Sequence, residues 1–259
     1  MNERDRRLQD IVAIVEREYS VSVENLQEKL GVSGSTVRAD LRLLARQGKI
    51  HREHGRVTRV NDYESTSPGG LPSFEKRLQI RQAEKEAITK LAESYVTEND
   101  AIILDASSTC YHLAKRLYVS TKALTIVTNG IHSAQLLNQN PRLQVILIGG
   151  TLGVQHNTEG ILGIELFRNL NIKKCFLSGY GISIEQGVTD FSLPEIEMKR
   201  RFIDVAQRAY ILTDSTKFGV VSVGKFCDVQ QAEAVLTDSQ IPESTVREYA
   251  SHNVQIVRP

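Results

Sequence analysis

Two stretches of this sequence carry side chains suited to holding an anion and a hydroxylated carbon chain. Asp105-Ala106-Ser107-Ser108-Thr109 runs from an apolar segment into a helical one. Three successive hydroxyl residues at a helix start offer N–H and O–H donors where the helix dipole favours negative charge, as a phosphate requires. Plain N-capping accounts for the same residues when the motif is taken alone. Asp214-Ser215-Thr216-Lys217-Phe218-Gly219 also follows an apolar run, and a carboxylate and an ammonium within one turn suit a sugar hydroxyl and a phosphate. Thr128-Asn129-Gly130 and Gly149-Gly150-Thr151 end two further runs, where glycine permits close backbone approach, although each alone also reads as an ordinary turn. Asp190, Glu195 and Lys199 form a last cluster. Glu195 and Lys199 are spaced i, i+4 and are expected to make a surface ion pair.

Other chemistries find less support. Ser178-Gly179-Tyr180-Gly181 lacks the third glycine of a dinucleotide fingerprint, since residue 184 is Ile, so no nicotinamide cofactor is expected. The six histidines (His51, His54, His112, His132, His156, His252) form no ligand-spaced set, and no metal is expected. Cys110, Cys175 and Cys227 include no C-x-x-C pair and read as reduced core thiols. Cys110 follows the hydroxyl cluster at a helix start, a place where a thiol pKa can fall, but a small buried side chain is the expected role.

These groups need elements to carry them. Short apolar runs at 101–104, 124–128, 144–148, 175–178, 209–213 and 234–237 alternate with helical segments near 109–118, 130–139, 160–170 and 194–207. Such alternation predicts an α/β domain with a parallel sheet covered on both faces. A span of about 185 residues is enough to bury a sizeable core. Ligands of such sheets sit beyond the carboxyl ends of the strands, and the polar motifs above collect at that edge. A charged helix is expected over 74–97, a candidate contact between copies, and residues 61–73, with two prolines and two glycines, read as a linker. The domains expected are therefore 1–60, a linker at 61–73, and 74–259.

The first sixty residues are organised differently. Leu8, Ile11, Val12 and Val15 form one apolar stripe; Ser22 caps a second helix that Gly31 ends, and Ser33 caps a third that Gly48 closes. In the third helix Val37, Leu41 and Leu44 face inward, while Arg38, Arg42 and Arg46 recur every four residues on the other side. Residues 49–59 alternate around a glycine as a two-stranded wing would. The pattern predicts a winged helix-turn-helix entering a DNA major groove, with Ser33, Ser35, Thr36, Arg38, Ala39 and Arg42 as contacts. Arg38 or Arg42 suits bidentate pairing with guanine, and Ala39 is small enough to meet a thymine methyl. Arg52, His54 and Arg56 on the wing suit phosphate or minor-groove contact.

Charge supports this division. The chain of 259 residues is 41% apolar and 24% charged, with net charge +1, which alone points away from a polyanion partner. Yet residues 29–60 hold eight cations against only Asp40 and Glu53, a local footprint for phosphate-backbone contact. No window approaches the ~20 apolar residues of a membrane span, and no secretory signal is recognisable, so a cytoplasmic protein is expected.

Val32-Ser33-Gly34-Ser35-Thr36-Val37-Arg38-Ala39-Asp40-Leu41 and the wing His51-Arg52-Glu53-His54-Gly55 resemble the DeoR family of bacterial sugar-metabolism repressors. Ala39 stands where that family commonly has arginine, and Arg56 replaces a second wing glycine. The larger half resembles the family's effector domain at 104–109, 127–130, 147–150, 176–181, 187–189 and 213–219, so the likeness runs through nearly the whole chain. It implies a fold like that of ribose-phosphate isomerases, glucosamine-phosphate isomerases and CoA transferases, used to sense a phosphorylated sugar or polyol. It also implies an effector shell of Asp105, Ser107, Ser108, Thr109, Asn129, Gly149, Gly150, Gly181, Asp214 and Lys217, to which Tyr180, Asp190 and Glu195 are added from the clusters above. Ser107 occupies a position usually glycine and Tyr180 one commonly aspartate, which leaves fewer carboxylates and a ring available to the ligand.

The expected protein is thus a DNA-binding transcriptional repressor of a sugar or polyol operon, not an enzyme, acting as a homo-oligomer, dimer or tetramer, on a double-stranded operator. Two alternatives stay open on sequence: a sugar-phosphate isomerase with a DNA-binding appendage, motivated by Asp214, Lys217 and Glu195, and a protein-interaction winged helix beside an inert sheet domain.

Overall fold

A computed structural model describes residues 3–18, 20–47, 49–53, 56–59, 66–67, 71–160, 162–163, 167 and 170–259. The chain divides into two compact units, residues 1–80 and 81–259.

The first unit contains α1 (Glu3–Glu18), β1 (Ser20–Ser22), α2 (Val23–Leu30), α3 (Gly34–Arg46), β2 (Ile50–Glu53), β3 (Arg56–Arg59), β4 (Thr66–Ser67), β5 (Leu71–Pro72) and α4 (Phe74–Gln79). β3 pairs antiparallel with both β1 and β2, so Val57 lies opposite Val21 on one side and Arg52 on the other. Ile11, Val15, Leu26, Val37, Leu41, Leu44 and Val57 close one core beneath the three helices. Full burial of each such side chain contributes about 1.5–3 kcal/mol, which is what fixes α3 against α1 and α2. The helix ends follow the caps expected of them. The Ser22 hydroxyl accepts from Asn25 N, Ser33 accepts from Thr36 N, and Gly31 takes φ 63°, a left-handed turn that glycine adopts without a Cβ penalty. Gly48, and the wing tip at His54 and Gly55, lie outside the described residues. Of the segment expected as a linker, 61–65 and 68–70 also lie outside them, while β4 and β5 pair antiparallel.

The second unit contains α5 (Gln82–Ser94), β6 (Ala101–Leu104), α6 (Ser108–Tyr118), β7 (Leu124–Thr128), α7 (Ile131–Leu137), β8 (Leu143–Leu147), β9 (Thr151–Leu152), β10 (Thr158–Glu159), β11 (Ile172–Leu177), β12 (Gly181–Ser183), β13 (Gly187–Asp190), α8 (Leu193–Val205), β14 (Ala206–Leu212), β15 (Gly224–Cys227), β16 (Ala232–Leu236), α9 (Glu243–Ser251) and β17 (Ile256–Val257). Seven strands form one sheet in the order β17-β16-β14-β11-β6-β7-β8, and every pairing in it is parallel. Alternate residues serve opposite layers: Ile103, Val127, Cys175 and Ile211 pack in one core, and Ile102, Ile126, Phe176 and Tyr210 in the other. Both faces are therefore covered, as the continuous apolar runs require.

Two features depart from the sequence expectations, and a third lies largely beyond test. The helix expected over 74–97 is two helices, broken at Ile80-Arg81, where Arg81 adopts φ 51° and ψ 45°. Left-handed backbone costs a non-glycine residue about 1–2 kcal/mol, and the Arg81 guanidinium recovers interactions with Glu84 at 2.9 Å and Asp214 at 3.7 Å. A small antiparallel sheet, β12-β13-β15, is formed by residues to which the apolar runs assigned no strand. Much of the helix expected near 160–170 lies outside the described residues.

Candidate functional site

On the first unit, α3 presents its outer face through residues three and four apart. Ser35, Arg38, Ala39, Arg42 and Arg46 are exposed and Thr36 half-exposed, while Val37, Leu41 and Leu44 anchor the opposite side. Ser33 is bound into the cap, its hydroxyl 2.8 Å from Ser35 Oγ and 2.9 Å from Thr36 Oγ1. Asp40 would place negative charge among these cations, but it is buried and bonded to Arg7 at 2.7 Å and Arg4 at 3.3 Å on α1. The charged side chains that α3 itself presents on its outer face are therefore all cationic. Arg52 stands on β2 and Arg56 on β3, in the antiparallel pair that forms the wing; His54 lies outside the described residues.

On the second unit, the polar motifs gather beyond the carboxyl ends of the parallel strands, as the topology demands. Asp105, after β6, accepts from Ser107 N at 3.0 Å and from Ser178 N at 2.8 Å, so it ties the ends of β6 and β11 together. The Ser107 hydroxyl accepts from Cys110 N at 3.1 Å and caps α6, whose Ser108 and Thr109 are buried in its first turn. The N–H groups of that turn are ones a helix cannot satisfy internally. Cys110 is fully buried; burial first, then the charge of Asp105, raises its thiol well above the ordinary range, which corrects the idea of a lowered pKa at this helix start.

Three glycines of the expected shell play unequal parts. A Cβ at Gly149 would meet nothing within 4 Å, at Gly150 it would reach Glu159 O at 2.4 Å, and at Gly181 Val220 O at 2.2 Å. Gly149 leaves open space beside β8, whereas Gly150 and Gly181 are glycines because backbone packs against them. Tyr180 is half-buried and meets Phe191 edge-on at 6.2 Å.

The expected surface pair of Glu195 and Lys199 is corrected by the structure. Lys199 is 4% exposed. Its ammonium donates to Ser178 O at 2.7 Å and to Asp190 at 2.5 Å, and lies 3.6 Å from Asp105 and 3.8 Å from Glu195. Burial opposes its charge, but Asp190, Asp105 and Glu195 outweigh that and hold its pKa above the usual lysine range. The signal for this burial was present in α8: Lys199 falls three residues after Ile196 and three before Phe202, both core residues. Asp105, Asp190, Glu195 and Lys199 thus form one network.

Lys217 joins the same turn from the other side, donating to Gly179 O at 2.7 Å and approaching Ser178 Oγ at 3.4 Å. Two lysines therefore grip the successive carbonyls of Ser178 and Gly179. Asp214 is buried, accepts from the backbone N–H and hydroxyl of Thr216, and lies near Arg81. Its burial disfavours the anion, yet Lys217, the Thr216 bond, Arg81 and Lys85 lower its pKa. Asn129 donates through Nδ2 to Thr158 O at 3.2 Å. Asn157, which no sequence motif marked, donates to Glu195 at 3.0 Å and Glu159 at 3.3 Å.

A winged helix with a cationic outer face, on one chain with a parallel-sheet unit whose polar groups meet at one edge, defines a DNA-binding transcriptional regulator with a sensing unit. Residues 7–62 match the family model of the DeoR-like helix-turn-helix domain, and residues 80–239 that of the DeoR C terminal sensor domain. The chain belongs to the DeoR family. It is similar to the HTH-type transcriptional regulator GolR of Listeria innocua, 35% identical over 94% of each chain. It is also similar to the HTH-type transcriptional repressor CsqR of Escherichia coli, 28% identical over 98% of this chain and 95% of the relative. Among solved structures, ribose 5-phosphate isomerase A from Methanocaldococcus jannaschii aligns over 53% of this chain and 54% of that one, with 12% identity and a TM-score of 0.40. The curated relatives are regulators, so the isomerase alternative gains no support from them.

Proposed function

We propose that this chain represses a carbohydrate or polyol operon and that a phosphorylated sugar or polyol, bound at the carboxyl edge of the large sheet, controls its grip on the operator. The observation that carries the reading is the presence on one chain of an α3 face whose own charges are all cationic and of a sensing unit whose Asp105, Ser107, Ser108, Thr109, Asn129, Asp214 and Lys217 follow the carboxyl ends of its strands. Ser33, Ser35, Thr36, Arg38, Ala39 and Arg42 supply the groove contacts, with base edges read by Arg38 and Arg42, and Arg52, His54 and Arg56 hold phosphates from the wing. Gly149, Tyr180, Asp190 and Glu195 border the ligand, while Gly150 and Gly181 let backbone close around it. The anion sits toward the first turn of α6 and Lys217, where an N-terminal dipole and an ammonium favour it.

The chain acts without enzymatic turnover, in the cytoplasm, and as a homo-oligomer, because paired half-sites on DNA call for paired readers. The division of labour places DNA reading in 1–60 and sensing in 74–259, joined by 61–73. A ligand alters operator affinity only if it binds the two operator-affinity states unequally. An electrophoretic shift with DNA upstream of the chain's own gene cluster, repeated across sugar phosphates, tests the reading. A complex that one of them weakens or strengthens supports it. The absence of any sequence-specific complex at moderate salt would rule it out.

A further inference from the structure

The chain passes from one compact unit to the other between Ile80 and Arg81. These two residues alone separate α4 from α5, and Arg81 makes the turn with φ 51° and ψ 45°. Asn99, His156 and Asn253 also have positive φ, and their residue types enter that region readily. Arginine is not such a type, and glycine would take the same turn without the cost of a Cβ. What glycine would lack is the side chain.

That side chain is only 14% exposed and reaches two carboxylates. Nη1 lies 2.9 Å from Glu84, which also accepts from Gln240 Nε2 at 3.1 Å. Nε lies 3.7 Å from Asp214. Asp214 in turn caps the single helical turn Ser215–Lys217, accepting from Thr216 N at 3.2 Å, and this turn carries Lys217 to Ser178 and Gly179. One carboxylate is thus shared by Arg81 and by the turn that holds Lys217. Burial disfavours its anion, while Lys217, the Thr216 bond, Arg81 and Lys85 favour it. An anionic ligand at Lys217 takes up part of that lysine's field, so Asp214 then leans on Arg81 and Lys85. At 3.7 Å the Arg81 contact is longer than a hydrogen bond and has room to tighten.

We propose that Arg81 relays occupancy of the effector edge to the crossing between the two units: a ligand anion at Lys217 draws Asp214 and Arg81 together and so resets the left-handed backbone at the start of α5. The inference rests on the effector reading above and makes Arg81 a positioning residue that acts through Asp214. Fluorescence anisotropy of the full chain on DNA upstream of its own gene cluster, with and without ribose 5-phosphate, ribitol 5-phosphate or fructose 6-phosphate, tests it, and isothermal titration follows binding of each probe. The native chain is expected to change operator affinity at least tenfold with one of the probes. Arg81→Gln, which keeps the backbone cost and loses the charge, should bind that probe within threefold of the native chain yet change operator affinity less than threefold. Arg81→Lys keeps the charge and should respond at least fivefold, a difference from Arg81→Gln that a purely structural role for the residue would not produce. Arg81→Gly, which takes the turn without strain, gives the same readout if Arg81→Gln does not fold. A glutamine or glycine variant that responds fully, one that loses probe binding along with its response, or a lysine variant no better than glutamine would overturn the inference and leave the effector reading standing. A native chain whose operator affinity none of the probes alters would overturn both.

Discussion

The carboxylate of Asp40 on α3 is held 2.7 Å from the guanidinium of Arg7 on α1, and this pair decides what α3 offers to a nucleic acid. Asp40 is the one acidic residue of α3, and turning it inward leaves Arg38, Arg42 and Arg46 as the charged residues on the helix's exposed face. The contact also joins two helices of the reading unit. Asp40→Ala is expected to destabilise the chain by about 1.5–3 kcal/mol, since it removes a buried carboxylate that accepts from the partly solvated Arg7. Thermal denaturation of the variant checks this, and an unchanged melting temperature would mean that the pair contributes nothing.

Arg38→Ala and Arg42→Ala are expected to weaken operator binding by about 1–3 kcal/mol each if the guanidinium reads a base, with specificity relaxed at one position. A cation that contacts phosphate alone would instead lower affinity evenly across sequences and reduce the salt slope by about one. Binding titrations at several salt concentrations, on matched and mismatched operators, separate the two roles. Unchanged binding in both variants would favour a protein-interaction module.

Lys199→Met leaves Asp105, Asp190 and Glu195 facing one another without their cation. The expected loss is about 3–5 kcal/mol in urea unfolding. Adding Asp190→Asn should recover part of it, because one of the like charges is then gone. A second variant that costs the full sum of the two single changes would contradict the coupling seen in the 2.5 Å contact between Lys199 and Asp190.

Acid should destabilise the second unit through Asp100. This residue is 1% exposed. It bonds to Lys174 at 2.5 Å, Lys173 at 3.1 Å and Thr97 N at 2.8 Å. Burial opposes its ionisation, but the Lys174 and Thr97 bonds more than offset that and hold its carboxyl well below the ordinary carboxylate range. The unfolded chain therefore takes up this proton first as pH falls. Stability is complete above the ordinary value of about 4 and is lost below it, toward the lower folded value. Asp100→Asn should lower stability at neutral pH and flatten the decline of melting temperature between pH 5 and pH 3. An equally steep decline in the variant would assign the acid response to other carboxylates.

Much of the architecture was legible because local chemistry and tertiary need agree. Ser22, Gly31 and Ser33 mark helix ends by their own hydrogen bonding, and the strands β6 and β7 begin and end where their apolar runs do. Other features depend on partners far along the chain. The break at Arg81 carries no proline or glycine and is held by Asp214, more than a hundred residues away. β13 is buried throughout although it reads Gly-Val-Thr-Asp, because Lys199 neutralises Asp190. The candidate site divides in the same way: Asp105, Asp214 and Lys217 stand at strand ends where the sequence marks them, while Asn157 sits in a loop and meets Glu195 and Glu159 only in the fold.

In the proposed function, a ligand at the edge held by Lys217 changes how tightly α3 grips DNA. Fluorescence-anisotropy titration of the full chain onto its operator, with and without phosphorylated sugars, measures this directly. At least one of them is expected to shift operator affinity tenfold or more, and Lys217→Ala to abolish the shift. Operator affinity that no phosphorylated sugar alters, or a shift that Lys217→Ala leaves intact, would contradict it.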